Sequence, residues 1–163
     1  MNDIFLLTGG NMGDRLHNLQ QAYVLIEKSA GKVTKKSSIY ETAAWGYTEQ
    51  APFLNQVVCI NSELEPEKLL QQLLTIEQEL GRKRIEKMGP RIIDIDILFY
   101  GNLVVSEAGL IVPHPRIAER RFVLMPLNEI AANFVHPVYY KTVSDLLILC
   151  PDPLDVKIYQ PTW

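Results

Sequence analysis

Cysteine is scarce in this 163-residue chain: Cys59 and Cys150 have no paired spacing, which leaves neither a disulfide framework nor a zinc site to read from them. Long apolar runs are lacking, since none approaches the ~20 residues of a membrane span. The opening Met1-Asn2-Asp3, followed by only a brief apolar stretch, does not resemble a secretory leader, so a cytoplasmic protein is expected. There is no basic excess either. A net charge of −3 argues against general nucleic-acid binding. The turn Gly9-Gly10-Asn11-Met12-Gly13-Asp14 has neither the Gly-x-Gly-x-x-Gly spacing nor a Walker lysine, so it reads as a loop beside a site rather than a phosphate cradle. No internal repeat or low-complexity segment is present. What remains is a globular composition, 47% hydrophobic and 21% charged, sized for a single domain over residues 1–163.

Against that acidic background the cations Arg82, Lys83, Arg84, Lys87 and Arg91 stand close together, a confined positive field suited to a small anion. Directly after them comes Ile92-Ile93-Asp94-Ile95-Asp96-Ile97-Leu98-Phe99-Tyr100, a strand-like run with two aspartates inside it. Strand side chains alternate, so Asp94 and Asp96 should share one face, their Cα atoms roughly 7 Å apart, with Ile93, Ile95, Ile97 and Phe99 on the other. Aspartate is depleted in strands, and two like charges that close need a partner. Mg²⁺ supplies one, because it favours carboxylate oxygens together with water and substrate phosphates. Guanidinium groups nearby suit phosphate oxygens. The pattern points to chemistry on a polyphosphate.

Elsewhere the periodicities alternate between strand and helix. Ile4 to Thr8 reads as a strand, and Leu16, Leu19, Tyr23 and Ile26 as a helical stripe ended by Ser29-Ala30-Gly31. Lys32 to Tyr40 reads as a second strand with Val33 and Ile39 inward, and Phe53 to Ile60 as a third after an irregular aromatic loop. Glu65-Pro66 opens a helix carrying Leu69, Leu73, Ile76 and Leu80, stopped by Gly81, with Glu77 flanking the stripe. After the aspartate strand, Leu103-Val104-Val105 suggests a return strand, Ala118 to Arg121 a short helix, and Thr142 the cap of a last helix. The order strand, helix, strand, strand, helix, strand predicts an α+β fold, the ferredoxin-like split βαβ sandwich, with an antiparallel sheet and helices on one face. The other face is then free to present Asp94, Asp96 and Asn55.

The run Lys87-x-Gly89-Pro90-Arg91-x-x-Asp94-Ile95-Asp96-Ile97-Leu98 resembles the signature of the 6-hydroxymethyl-7,8-dihydropterin pyrophosphokinases of folate biosynthesis. Ordered similarity continues in Gly9-Gly10-Asn11-x-Gly13, Tyr40-Glu41-Thr42, Phe53-Leu54-Asn55, Ile76-Glu77, Gly81-Arg82, Val112-Pro113-His114 and Arg120-x-Phe122-Val123-Leu124-x-Pro126-Leu127. It spans residues 4 to about 130 and leaves the last thirty undiagnostic.

The resemblance implies pyrophosphoryl transfer from ATP to 6-hydroxymethyl-7,8-dihydropterin with two Mg²⁺ ions, in a monomer with small-molecule partners and no nucleic-acid or membrane partner. It implies Asp94 and Asp96 as metal ligands and Arg82 and Arg91 as phosphate contacts. Glu77, Arg84, Ile97, His114 and Arg120 would bind ATP. Phe53 and Phe122 would sandwich the pterin, Asn55 would bond its edge, and Thr42, Ala43 and Trp45 would complete the pocket. Leu74, Gly109, Ile111 and Pro115 replace polar, basic or aromatic residues at ATP-contacting places, and Met88 stands where a tryptophan can occur. The segments around 10–14, 43–52 and 82–91 are expected to move on binding. Two other readings of the residues stay open: a ferredoxin-like ligand-binding module whose aspartates hold a structural cation, and a different Asp-x-Asp metal-nucleotide transferase.

Overall fold

The structure, a computed structural model, describes residues 3–42, 52–81 and 92–160. Chain order is β1 (Ile4–Gly10), α1 (Arg15–Ser29), β2 (Lys32–Lys36), β3 (Tyr40–Thr42), β4 (Phe53–Asn61), α2 (Pro66–Glu79) and β5 (Asp94–Tyr100). Then follow β6 (Val105–Glu107), β7 (Leu110–Val112), a 3₁₀ turn (Ile117–Glu119), α3 (Arg121–Ala131), α4 (Val143–Leu149) and β8 (Val156–Ile158). The sheet runs β5-β1-β4-β3-β8, with β2 also paired to β4, and its pairings are antiparallel. Taking β2 and β3 as one interrupted strand, this is the ferredoxin-like order.

The predicted second strand breaks at 37–39 because its polar groups find other partners. Ser37 exchanges main-chain and hydroxyl bonds with Val57, Gln56 Nε2 donates to Ser37 O at 2.8 Å, and the Ser38 N–H donates to Glu129.

β1 and β4 are buried on both faces. Ile4, Leu6, Leu54, Val58 and Ile60 pack with α1 and α2 through Leu19, Ile26, Leu69, Leu73 and Ile76. Phe5, Leu7, Val57 and Cys59 form a second core with Val123, Leu124 and Leu127 of α3 and Val143 and Leu146 of α4. Each such side chain contributes about 1.5–3 kcal/mol. The expectation of one free sheet face is therefore corrected: α3 and α4 cover much of it.

The expected short helix at Ala118 to Arg121 is likewise replaced by the 3₁₀ turn and then α3, which runs through Pro126. Proline there removes one intrahelical bond, yet the apolar 3-4 spacing of Val123, Leu124 and Leu127 buries the helix regardless. Leu103-Val104-Val105 does not return to the sheet; Val105 starts the separate β6–β7 hairpin. Gly81, at φ 87°, ends α2 as expected.

β5 carries a bulge. Phe5 pairs with Phe99 but Leu6 with Ile97, so Leu98 is an extra residue. The alternation predicted for β5 holds through Ile93, Ile95 and Ile97, which pack on the α1–α2 side. Beyond the bulge it fails, and Leu98 and Phe99 both enter the second core.

Candidate active site

Register places the acidic residues beside the Gly9 end of β1. Asp94 pairs with Gly9, which pairs on its other side with Asn55; Asp96 pairs with Leu7. Asp94, Gly9 and Asn55 thus form a row across three strands, with Asp96 one step further along the same face. Gly9 is required here. A Cβ on it would lie 2.1 Å from Asn55 Oδ1, so the buried Asn55 amide occupies the space over its Cα. Both aspartates are half-buried.

Two cationic or ionisable groups face this pair from outside the sheet. His114 is held by its own N–H, which donates to Leu98 O at 2.9 Å, and its Nδ1 accepts the Arg116 N–H at 3.2 Å. Burial pushes the His114 imidazole down to about 4, with Arg120 and Arg116 acting in the same direction and Asp94 opposing them. At neutral pH the ring is neutral, and because Nδ1 accepts, Nε2 carries the proton and is the donor. Arg120 feels both Arg116 and Asp96, and its guanidinium carbon stands 5.6 Å from the centre of the Phe122 ring. Guanidinium stays charged under any such pressure.

Asp96, Ile97 and His114 line a cavity of about 260 Å³ between β5, the β6–β7 hairpin and α2. Ile95, Leu70, Leu110 and Ile111 supply its apolar walls, with Gly109 and Pro115 at its edge. Three positions where the sequence departs from the resembled pattern, Gly109, Ile111 and Pro115, therefore shape one cavity; Leu74 is not in its wall. Leu70 and Leu110 were not singled out from the sequence.

Thr42 ends β3 in register with Phe53 at the start of β4. Its Oγ1 is buried and, among the described residues, finds no hydrogen-bond partner. Phe53 lies on the face of Asn55, and Phe122 lies in the first turn of α3, both half-buried. Glu77 is not on a solvated helix face. It is 2% exposed, and its Oε2 accepts the Ile95 N–H at 2.7 Å, between the two aspartates. Arg82, Arg84, Arg91, Ala43 and Trp45, and with them the segments 43–51 and 82–91, lie outside the described residues.

The metal-favouring donors among the described residues are the Asp94 and Asp96 carboxylates; no group of three or more acidic, histidine or cysteine side chains is assembled there. Such an incomplete oxygen set fits a hard cation that keeps water and substrate phosphate among its ligands, and does not fit a closed structural site.

Fold and site together define a ferredoxin-like domain that presents paired carboxylates beside a cavity, flanked by arginine and a neutral histidine. Residues 5–132 match the 7,8-dihydro-6-hydroxymethylpterin-pyrophosphokinase family. The chain belongs to that family. It is 49% identical over 132 residues to the 2-amino-4-hydroxy-6-hydroxymethyldihydropteridine pyrophosphokinase of Bacillus subtilis, covering 80% of this chain and 79% of that one. It is 41% identical over 135 residues to the folic acid synthesis protein fol1 of Pneumocystis carinii, covering 83% of this chain but 18% of that longer protein. In fold it is similar to the Plasmodium falciparum HPPK-DHPS structure, with a TM-score of 0.73 at 18% identity over 91% of this chain and 43% of that one.

Proposed function

We propose that this chain transfers a pyrophosphoryl group from ATP to 6-hydroxymethyl-7,8-dihydropterin, giving AMP and the pterin diphosphate. The observation that carries the reading is the convergence of Asp94 and Asp96 with Asn55, His114 and Arg120 on one face of the sheet, beside an apolar-walled cavity of about 260 Å³.

The hydroxymethyl oxygen attacks the β-phosphorus, the bond from that phosphorus to the α,β-bridging oxygen breaks, and AMP leaves. Asp94 and Asp96 would hold Mg²⁺, two ions in all, whose charge offsets that of the phosphate oxygens. Arg120 offers a fixed positive charge and His114 a neutral Nε2–H donor toward those oxygens. Asp94 would also accept the alcohol proton. Because a primary alcohol next to bound triphosphate needs alignment above all, positioning supplies most of the rate. The apolar cavity takes the adenosine, which Gly109, Ile111 and Pro115 leave to shape and main-chain contacts. Asn55 and the Thr42 hydroxyl, which has no partner among the described residues, offer hydrogen bonds to the pterin, and Phe53 and Phe122 its stacking surfaces. Arg82, Arg84 and Arg91 complete the phosphate site, and Ala43 and Trp45 the pterin pocket, on the strength of sequence similarity alone. Glu77 acts on the aspartate strand. No helix among the described residues is long and apolar enough to cross a membrane, and a cytoplasmic monomer acting on dissolved substrates completes the proposal.

Incubation with ATP, Mg²⁺ and 6-hydroxymethyl-7,8-dihydropterin should give AMP and pterin diphosphate in equal amounts. ADP as product would reject pyrophosphoryl transfer, and no pterin-dependent AMP would favour a ligand-binding module.

A further inference from the structure

After α4 the chain crosses to the start of α3, where Asp152 is 3% exposed. Its Oδ2 accepts the Arg121 N–H at 3.0 Å, its Oδ1 accepts the Leu154 N–H at 2.9 Å, and its main-chain oxygen accepts the Arg121 Nε–H at 3.2 Å. Arg121 is the first residue of α3, and the preceding residue, Arg120, provides no side-chain cap. The first N–H groups of a helix have no partner within it and favour negative charge. Here the carboxylate that satisfies one of them comes from a segment beyond the 5–132 family match.

What sets this cap apart is its place in the site. The backbone turns from extended at Arg120, φ −128° and ψ 110°, to helical at Arg121. Arg120 and Phe122 flank Arg121, whose main-chain N–H and Nε–H are both held by Asp152, so the direction of both side chains depends on how that residue is fixed. The same carboxylate also acts electrostatically on Arg120. Thr142 makes the comparable cap of α4, its Oγ1 accepting the Asp145 N–H at 3.1 Å, but no proposed site residue lies on that helix.

We infer that Asp152 is a positioning residue for both substrates, holding Arg120 toward the ATP phosphates and Phe122 toward the pterin. The inference rests on the roles given to those two residues under the proposed function. A displaced reacting group can cost a hundredfold in rate, so even a small shift here should be readable in the kinetics.

The test uses the full chain with Asp152→Ala, Asp152→Asn, Arg120→Ala, Phe122→Ala and, as a control for lost stability alone, Thr142→Ala. Below the melting temperature of each variant, Asp152→Ala should raise KM for both ATP and pterin about tenfold, beyond any fall in kcat. Asp152→Asn, which keeps one acceptor oxygen for the Arg121 N–H, should recover most of the loss. Thr142→Ala should lower the melting temperature with both KM values unchanged. Wild-type KM values in Arg120→Ala and Phe122→Ala would sink the site assignment itself. Raised KM values there, with wild-type values in both Asp152 variants, would sink the positioning role alone. If Asp152→Ala does not fold, Asp152→Asn decides: a rise of about threefold in both KM values supports the role, and no rise rejects it.

Discussion

Glu77 Oε2 accepts the main-chain N–H of Ile95 at 2.7 Å, at a point where, among the described residues, β5 has a neighbouring strand, β1, on one side only. Ile95 separates Asp94 from Asp96, so a side chain of α2 stands in for the missing strand between the two carboxylates. Leaving that buried N–H without an acceptor costs about 1–3 kcal/mol. Glu77→Ala should therefore lower stability in urea by that amount and raise the Mg²⁺ concentration needed for half-maximal turnover, while Glu77→Gln, which retains an acceptor, should do both less. A raised KM for ATP at unchanged stability and Mg²⁺ dependence would instead make Glu77 an ATP contact only.

Gly9 allows the Asn55 amide to lie against the sheet. The Cβ of Gly9→Ala would lie 2.1 Å from Asn55 Oδ1 and 3.2 Å from Leu54 O, a main-chain atom that cannot swing aside. The expected result is displacement of Asn55, at about 1–3 kcal/mol of stability for overpacking, with pterin binding weakened about tenfold or more as its hydrogen bonds are lost. Pterin fluorescence titration measures the affinity, and an unchanged value would remove Asn55 from the pterin edge.

His114 should remain neutral across the physiological range in the free protein, since burial and the neighbouring arginines bring its pKa to about 4. The sign follows from the unfolded chain, where histidine titrates near 6.5. Below that pH the unfolded state takes up a proton that the folded state refuses, so this contribution to stability is present above about pH 6.5 and is lost as pH falls through 4. Side-chain NMR of the three histidines from pH 3.5 to 8 is the check. A His114 midpoint near 6.5 would contradict its burial between Arg120 and Asp94.

Much of the site was legible because its chemistry is dense in sequence. Asp94 and Asp96 are two apart on a β-forming run, and that period alone puts them on one face; the stripes of α1 and α2, the Gly81 stop and the Thr142 cap are equally local. The unread parts depend on contacts distant in the chain. Leu98 bulges because β5 must match β1, which turns Phe99 from the face expected of it. Glu77 has the periodicity of a stripe's margin, and only the fold reveals an N–H opposite it. The helix around Pro126 went unread because the second core, which holds it in place, is built from distant strands. Asp152 has no motif at all, its partner being 31 residues earlier.

Tyr40 ties the strand that carries Thr42 to the helix that carries Phe122. Its hydroxyl donates to Glu129 Oε1 at 2.6 Å, and Glu129 also accepts from the Ser38 N–H and hydroxyl. Burial first, and then the Glu129 carboxylate, push the Tyr40 phenol up to about 12. A raised acid of this kind stabilises the fold fully below the unfolded value near 10, and the contribution is lost as pH rises toward 12, because the unfolded chain releases the proton first. Tyr40→Phe should cost about 1.5–3 kcal/mol at pH 8, the range for a bond to a charged acceptor. Urea denaturation of both proteins at steps from pH 8 to 11.5 should show the gap constant to about pH 10 and narrowing above it. A gap that stays constant to pH 11.5 would mean that Tyr40 ionises as freely in the folded chain as in the unfolded one.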